Sequence, residues 1–259
     1  MSVHVFSIAG GFRRAFSGVR SILALVVFVL AGALPAQAAD TLTIAAGAGY
    51  KRPVSELAAA FERHAGVKVE PFFGNMGQVL AQAVQSEQVA IVIGDQAFLE
   101  NAKQLGFGRY LGAGRGRLVV AWPNGKALTR PADIAEADVA RIALPDVRHA
   151  VYGKAASEYL ARSGLADRVK DRLLTVSTVP QVTAYLVSGE IDAGFINLTD
   201  ALGVRERIGG FIEIDPEQYG EIRIVGGVVE GREGLPGVHA FGDFLETPEA
   251  KAILARHGL

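Results

Sequence analysis

From Thr41 onward, short apolar runs of strand length alternate with segments of helical periodicity, and glycine, proline or asparagine marks nearly every switch. This alternation constrains the fold more than any other feature. Strands separated by helices of this length imply parallel sheets joined by right-handed crossovers. TLTIAA (41–46) is a β-rich run that ends in the turn Gly47-Ala48-Gly49. Pro53 suits a first helical turn, and Val54, Leu57, Ala58 and Phe61 then recur at helical spacing until Gly66 closes the helix. Val67–Phe72 alternates like a strand, and Gly74-Asn75-Met76-Gly77 opens a helix with Val79, Leu80, Ala83 and Val84 on one side.

The pattern continues with strands at 90–93, 118–122, 141–144, 174–176, 193–196, 211–214 and 222–230. Helices are predicted at 98–105, 153–163, 167–173, 181–188, from Asn197 onward, and at 238–245 and 248–257. Phe72, Phe73 and Trp122 read as core or cleft wall. No internal repeat is visible. Gly112-Ala113-Gly114-Arg115-Gly116 looks like a phosphate loop, but it lacks the Lys-Ser/Thr ending and reads as a hinge or linker.

The segment before Thr41 is an address. Arg13, Arg14 and Arg20 precede the apolar run Ile22–Leu34, and Pro35 and the small-x-small signal Ala36-Gln37-Ala38 follow. This is the layout of a cleaved secretory signal peptide over residues 1–38, and the apolar run is short for a membrane span. The expected fate is export.

Composition narrows the chemistry. With 26 Lys plus Arg against 27 Asp plus Glu, the chain carries no basic footprint for nucleic acid. It has no cysteine, which rules out disulfides, thiolate metal sites and cysteine nucleophiles. No HExxH, GxSxG or Walker loop occurs, and nothing supplies a nucleophile–base pair, so no catalysis, cofactor or metal site is expected.

Several turns nevertheless share one design. Gly47–Arg52, Gly74–Gly77, Val151–Gly153, Thr178–Gln181 and Asn197–Thr199 each stand before a helix. In open α/β sheets ligands bind beyond the carboxyl ends of the strands. Helix starts there present backbone N–H groups and partial positive charge, which favours anions. Tyr50, Asn75, Tyr152, Thr178, Gln181, Asn197 and Thr199 can add directional hydrogen bonds, and Lys51 or Arg52 can add charge. Taken singly, each turn is equally readable as an ordinary helix cap. Asp95 reads as a helix cap or a cleft residue, and His149 as a surface or capping residue beside a candidate turn.

The chain from Thr41 to Leu259 resembles the periplasmic molybdate-binding proteins of ABC importers, of the type II periplasmic binding-protein fold. The resemblance rests on the order and spacing of TLTIAAGAGY, LAAAFERHAGVKVEPFFGNMGQ, VAIVIGDQAFLENA, ALPDVRHAVYGKAASEYL, VSTVPQVTAYLVSGEIDAGFINLTDA and FGDFLETPEAKAILARHGL. It implies two α/β lobes, each a mostly parallel sheet flanked by helices, with two hinge crossings near 111–119 and 219–225. The first lobe would comprise 39–116 and 223–259, and the second 117–222. Ligand would lie in the cleft, against Ala48, Gly49, Tyr50, Arg52, Asn75, Met76, Gly77, Tyr152, Thr178, Asn197 and Thr199.

The implied role is capture of a tetrahedral oxyanion such as molybdate or tungstate by a monomer, and delivery to the membrane permease. The family's first two turns carry a serine each. Here the first reads Gly47-Ala48-Gly49-Tyr50 and the second carries Asn75, while Asn197 stands at a later family tyrosine. The alternatives are another oxyanion, a small organic acid or a metal complex on the same scaffold, or a sensor-type receptor.

Overall fold

The computed structural model describes residues 41–259, so the leader expected at 1–38 lies outside the described residues. The chain begins with β1 (Thr41–Gly47), α1 (Lys51–Ala65), β2 (Lys68–Gly74), α2 (Met76–Gln85), β3 (Val89–Asp95), α3 (Gln96–Glu100) and β4 (Phe107–Arg115). It then passes to β5 (Leu118–Trp122), β6 (Ile142–Pro145), α4 (Val151–Arg162), α5 (Ala166–Val169), β7 (Leu173–Val176), α6 (Val179–Ser188), β8 (Ala193–Asn197), α7 (Leu198–Val204) and β9 (Gly210–Glu213). It returns through β10 (Arg223–Val229), α8 (Pro236–Leu245) and α9 (Pro248–Arg256).

Two five-stranded sheets result, in the orders β2-β1-β3-β10-β4 and β7-β6-β8-β5-β9. In the first, β2, β1 and β3 run parallel while β10 is antiparallel to both β3 and β4. In the second, β7, β6 and β8 run parallel while β5 is antiparallel to both β8 and β9. Four strands of each sheet thus share a direction, as expected, but each sheet is mixed. The odd strand of each is the one that follows a crossing from the other lobe. The two orders correspond strand for strand, a structural repeat that left no trace in the residues. The crossings lie side by side, with the Gly116 N–H donating to the Ile222 carbonyl at 2.9 Å.

The core follows from this layering. Every residue of β3 is buried, because a central strand with helices on both faces has no solvent side. Helix α1 turns Val54, Leu57, Ala58 and Phe61 inward. Phe61 meets Phe241 edge-on at 5.2 Å between ring centroids and Phe244 at 5.6 Å, which ties α1 to α8. Gly66 and Gly189 end α1 and α6 in the left-handed conformation, as the sequence predicts.

Four expectations change. The segment expected as a hinge or linker at 112–116 is mostly the end of edge strand β4, leaving only Gly116 and Arg117 between β4 and β5. The helix expected at 98–105 is the shorter α3, capped by Asp95, whose carboxylate accepts the Phe98 N–H. The helix expected at 167–173 is α5 followed by a 3-10 turn at 170–172. Phe72 and Val84 are exposed, because β2 is a sheet edge and the buried face of α2 is Met76, Val79 and Ala83.

Candidate functional site

The carboxyl ends of β1, β2, β6 and β7 face one another across the lobes, and each leads into a helix. Their turns enclose a cavity of about 30 Å³, on the order of two water molecules. It is lined by Gly47–Tyr50, Gly74–Met76, Ala150–Tyr152, and Thr178 with Val179. Seven of the predicted site residues therefore meet there: Ala48, Gly49, Tyr50, Asn75, Met76, Tyr152 and Thr178. No side chain in this lining carries a charge. Positive potential there comes from the starts of helices α2, α4 and α6 and of the 3-10 turn 48–50. The caps of α4 and of that turn, Ala150 and Gly47, make no side-chain capping bond. The N–H groups that open these two elements are therefore not taken up by a capping side chain.

The polar side chains are held in place by partners. Asn75 caps α2: its Oδ1 accepts the Gln78 N–H at 2.9 Å, and Gln78 Oε1 accepts the Asn75 N–H at 3.0 Å. That reciprocal pair aims the Asn75 amide across the cleft, where Nδ2 donates to Ser177 Oγ at 3.0 Å. The Tyr50 and Tyr152 hydroxyls meet at 3.0 Å, also across the cleft. Burial pushes both phenols up from their ordinary range, so both remain protonated donors at any physiological pH.

The β6–α4 turn forms one wall. Asp146 accepts the N–H groups of Arg148 and His149, and His149 Nδ1 lies 2.9 Å from its carboxylate. Hydrogen bonding, first from the His149 N–H, holds the Asp146 carboxyl below the usual carboxylate range. The His149 carbonyl in turn accepts the Met76 N–H at 2.8 Å, bringing α2 and the β6–α4 turn together.

Gly153 makes this wall possible. A Cβ there would fall inside contact distance of the Pro145 and Asp146 carbonyls, both main-chain atoms that cannot swing aside. Gly153→Ala is therefore expected to displace the start of α4 and to cost about 1–3 kcal/mol. Chemical denaturation of the two proteins side by side measures this.

The four other predicted residues stand outside the lining. Gly77 packs beneath the His149 ring. Thr199 is buried in α7. Asn197 is fully buried; its Nδ2 donates to the Gly49 carbonyl at 2.9 Å and its Oδ1 accepts the Asp200 N–H at 3.1 Å. Arg52 pairs with the carboxylate of Asp200, which also accepts the Thr183 hydroxyl. Sequence reasoning missed Ala150; Gly47, Gly74, Val151 and Val179 lay in the candidate turns but were not placed against the ligand, because they offer main-chain groups that any residue type carries. It also missed Asp200, because an acid in the first turn of a helix reads as an ordinary dipole partner.

Two lobes closing over a small, uncharged, N–H-rich cavity define a solute-binding protein. The profile of the bacterial extracellular solute-binding proteins matches residues 42–259, and the chain belongs to that family. The molybdate-binding protein of Rhodobacter capsulatus is 25% identical over 238 residues, covering 90% of this chain and 93% of that one. The molybdate-binding protein of Azotobacter vinelandii is 26% identical over 252 residues, covering 94% and 98%. The solved structure of the periplasmic molybdate-binding protein of Azotobacter vinelandii superposes with a TM-score of 0.76 at 23% identity, over 84% of this chain and 97% of that one.

Proposed function

We propose that this protein captures a tetrahedral oxyanion of the molybdate or tungstate kind in the interlobe cavity and delivers it to the permease of an ABC importer. The observation that carries this reading is the convergence of four helical starts on a cavity without a charged side chain. Such a site suits a small anion fully stripped of water, with main-chain dipoles facing each oxygen. The relatives' molybdate binding supports the choice of anion.

Hydroxyl donors need not come from the family's serines, because Tyr50, Tyr152 and Thr178 border the same space. The small cavity favours an inorganic oxyanion over an organic acid. In this reading residues 1–38 are a leader removed in the periplasm, the lobes divide at 116/117 and 222/223, and these crossings act as the hinge. The protein works as a monomer.

A thermal-shift panel of molybdate, tungstate, chromate, sulfate, phosphate and carboxylates tests the ligand. A bound anion at about 100 times its Kd should add roughly 2.7 kcal/mol. The expected result is a large shift with molybdate and tungstate. A flat response to both, with a shift from another anion or from none, would overturn the choice of ligand.

A further inference from the structure

Beside the cavity, and outside its lining, the start of α1 grips the start of α7. Arg52 of the first lobe reaches across the cleft to Asp200 of the second. Its guanidinium lies over Gly203, where a Cβ would come within 2.6 Å of Nε, Cδ and Cζ. Asp200 is buried, and its second oxygen accepts the Thr183 hydroxyl, so the carboxylate is fixed before Arg52 arrives. Three residues before Arg52, the Gly49 carbonyl accepts Asn197 Nδ2, and three residues before Asp200 stands that same Asn197, whose Oδ1 accepts the Asp200 N–H. One turn of each helix thus supplies two anchors to the other lobe.

We propose that Arg52 and Asp200 form an interlobe latch that holds the lobes closed whether or not ligand is present. They are positioning residues: neither lines the cavity, and their contact joins one lobe to the other. Part of the closing free energy then comes from the protein itself, and the ligand meets a preformed site. Loss of the latch lowers the closed fraction, and apparent affinity falls by that same fraction.

Two substitutions break the latch differently. Arg52→Met keeps an unbranched stem over Gly203 and removes the charge. Gly203→Ala keeps both charged residues but adds a methyl group that crowds the Arg52 side chain out of its present position, while raising the helix propensity of α7. It is expected to unlatch the lobes without lowering Tm, which a merely destabilising change would not do.

The protein has no native cysteine, so cysteines placed at exposed Ala81, in α2 of the first lobe, and at exposed Arg148, just before α4 of the second, take spin labels uniquely. Double electron–electron resonance on the ligand-free protein is expected to give one short distance for the unmutated latch. In both variants most of the population should move to longer distances. Molybdate should restore the short distance, with its Kd weakened about tenfold if the closed fraction falls to about one tenth.

The affinity arm rests on the reading of the cavity as a molybdate site, but the ligand-free distances do not. If both variants keep the short distance without ligand, or if the unmutated latch already shows the long one, the latch is overturned. If the distances lengthen as expected but molybdate binds none of the proteins, the latch stands and the choice of ligand falls.

Discussion

Asn75→Asp is expected to weaken molybdate binding at least a hundredfold while leaving the fold unchanged. The substitution is nearly isosteric, and aspartate caps a helix as well as asparagine, so the bond to the Gln78 N–H survives. The link to Ser177 survives as well, because a hydroxyl that accepts from an amide can instead donate to a carboxylate. What changes is the sign of the wall. A unit charge about 4 Å from another at an effective dielectric constant of 20 contributes about 4 kcal/mol, and a dianion feels it twice. The uncharged lining offers no cation to offset it. Asn75→Ser, which keeps a cap and a donor, should bind within about tenfold of the unmodified protein. Calorimetric titration with molybdate distinguishes these results, and equal affinity for Asn75→Asp would move the site elsewhere.

The largest stability effect is expected at Phe61. Its ring is fully buried between Phe241 and Phe244, so Phe61→Ala removes the contact that joins α1 to the returning α8. Loss of a buried phenylalanine costs about 3–5 kcal/mol. In a domain of this size that lowers Tm on the order of 10 °C, measurable by differential scanning calorimetry. Phe61 lies about 15 Å along α1 from the cavity turn, by the rise of 1.5 Å per residue. The stabilisation by saturating molybdate should therefore persist at the lower Tm.

The elements that the residues made legible are those with strong punctuation. Gly66 and Gly189 stop their helices where expected, and Pro53, Pro180 and Pro248 lie in the first turns of theirs. Strand β4 was hidden because five glycines between 106 and 116 imitate a loop, whereas here two of them, Gly106 and Gly108, leave room for the side chains of Glu230 and Glu233. The mixed character of the sheets was equally hidden, since the direction of a strand depends on which lobe the chain has just left.

The cavity was half legible. Tyr50, Asn75, Tyr152 and Thr178 announce themselves as hydrogen-bonding side chains next to turns. Val151 and Val179 do not, because what they bring to the cavity is backbone. Arg52 and Asn197 were expected against the ligand but stand outside the lining, because Asp200 and the Gly49 carbonyl take them up; these partners are 148 residues away and visible only in three dimensions.

The insertion of β10 between β3 and β4 has a consequence for the order of synthesis. A chain still emerging from the ribosome holds β1 to β4 early, yet these strands cannot form their final sheet. The strand that separates β3 from β4, and the helices α8 and α9 that cover α1, come last. All five strands of the second lobe, by contrast, come from one continuous stretch and can assemble as soon as it is made. The half of the protein made first is therefore the half completed last.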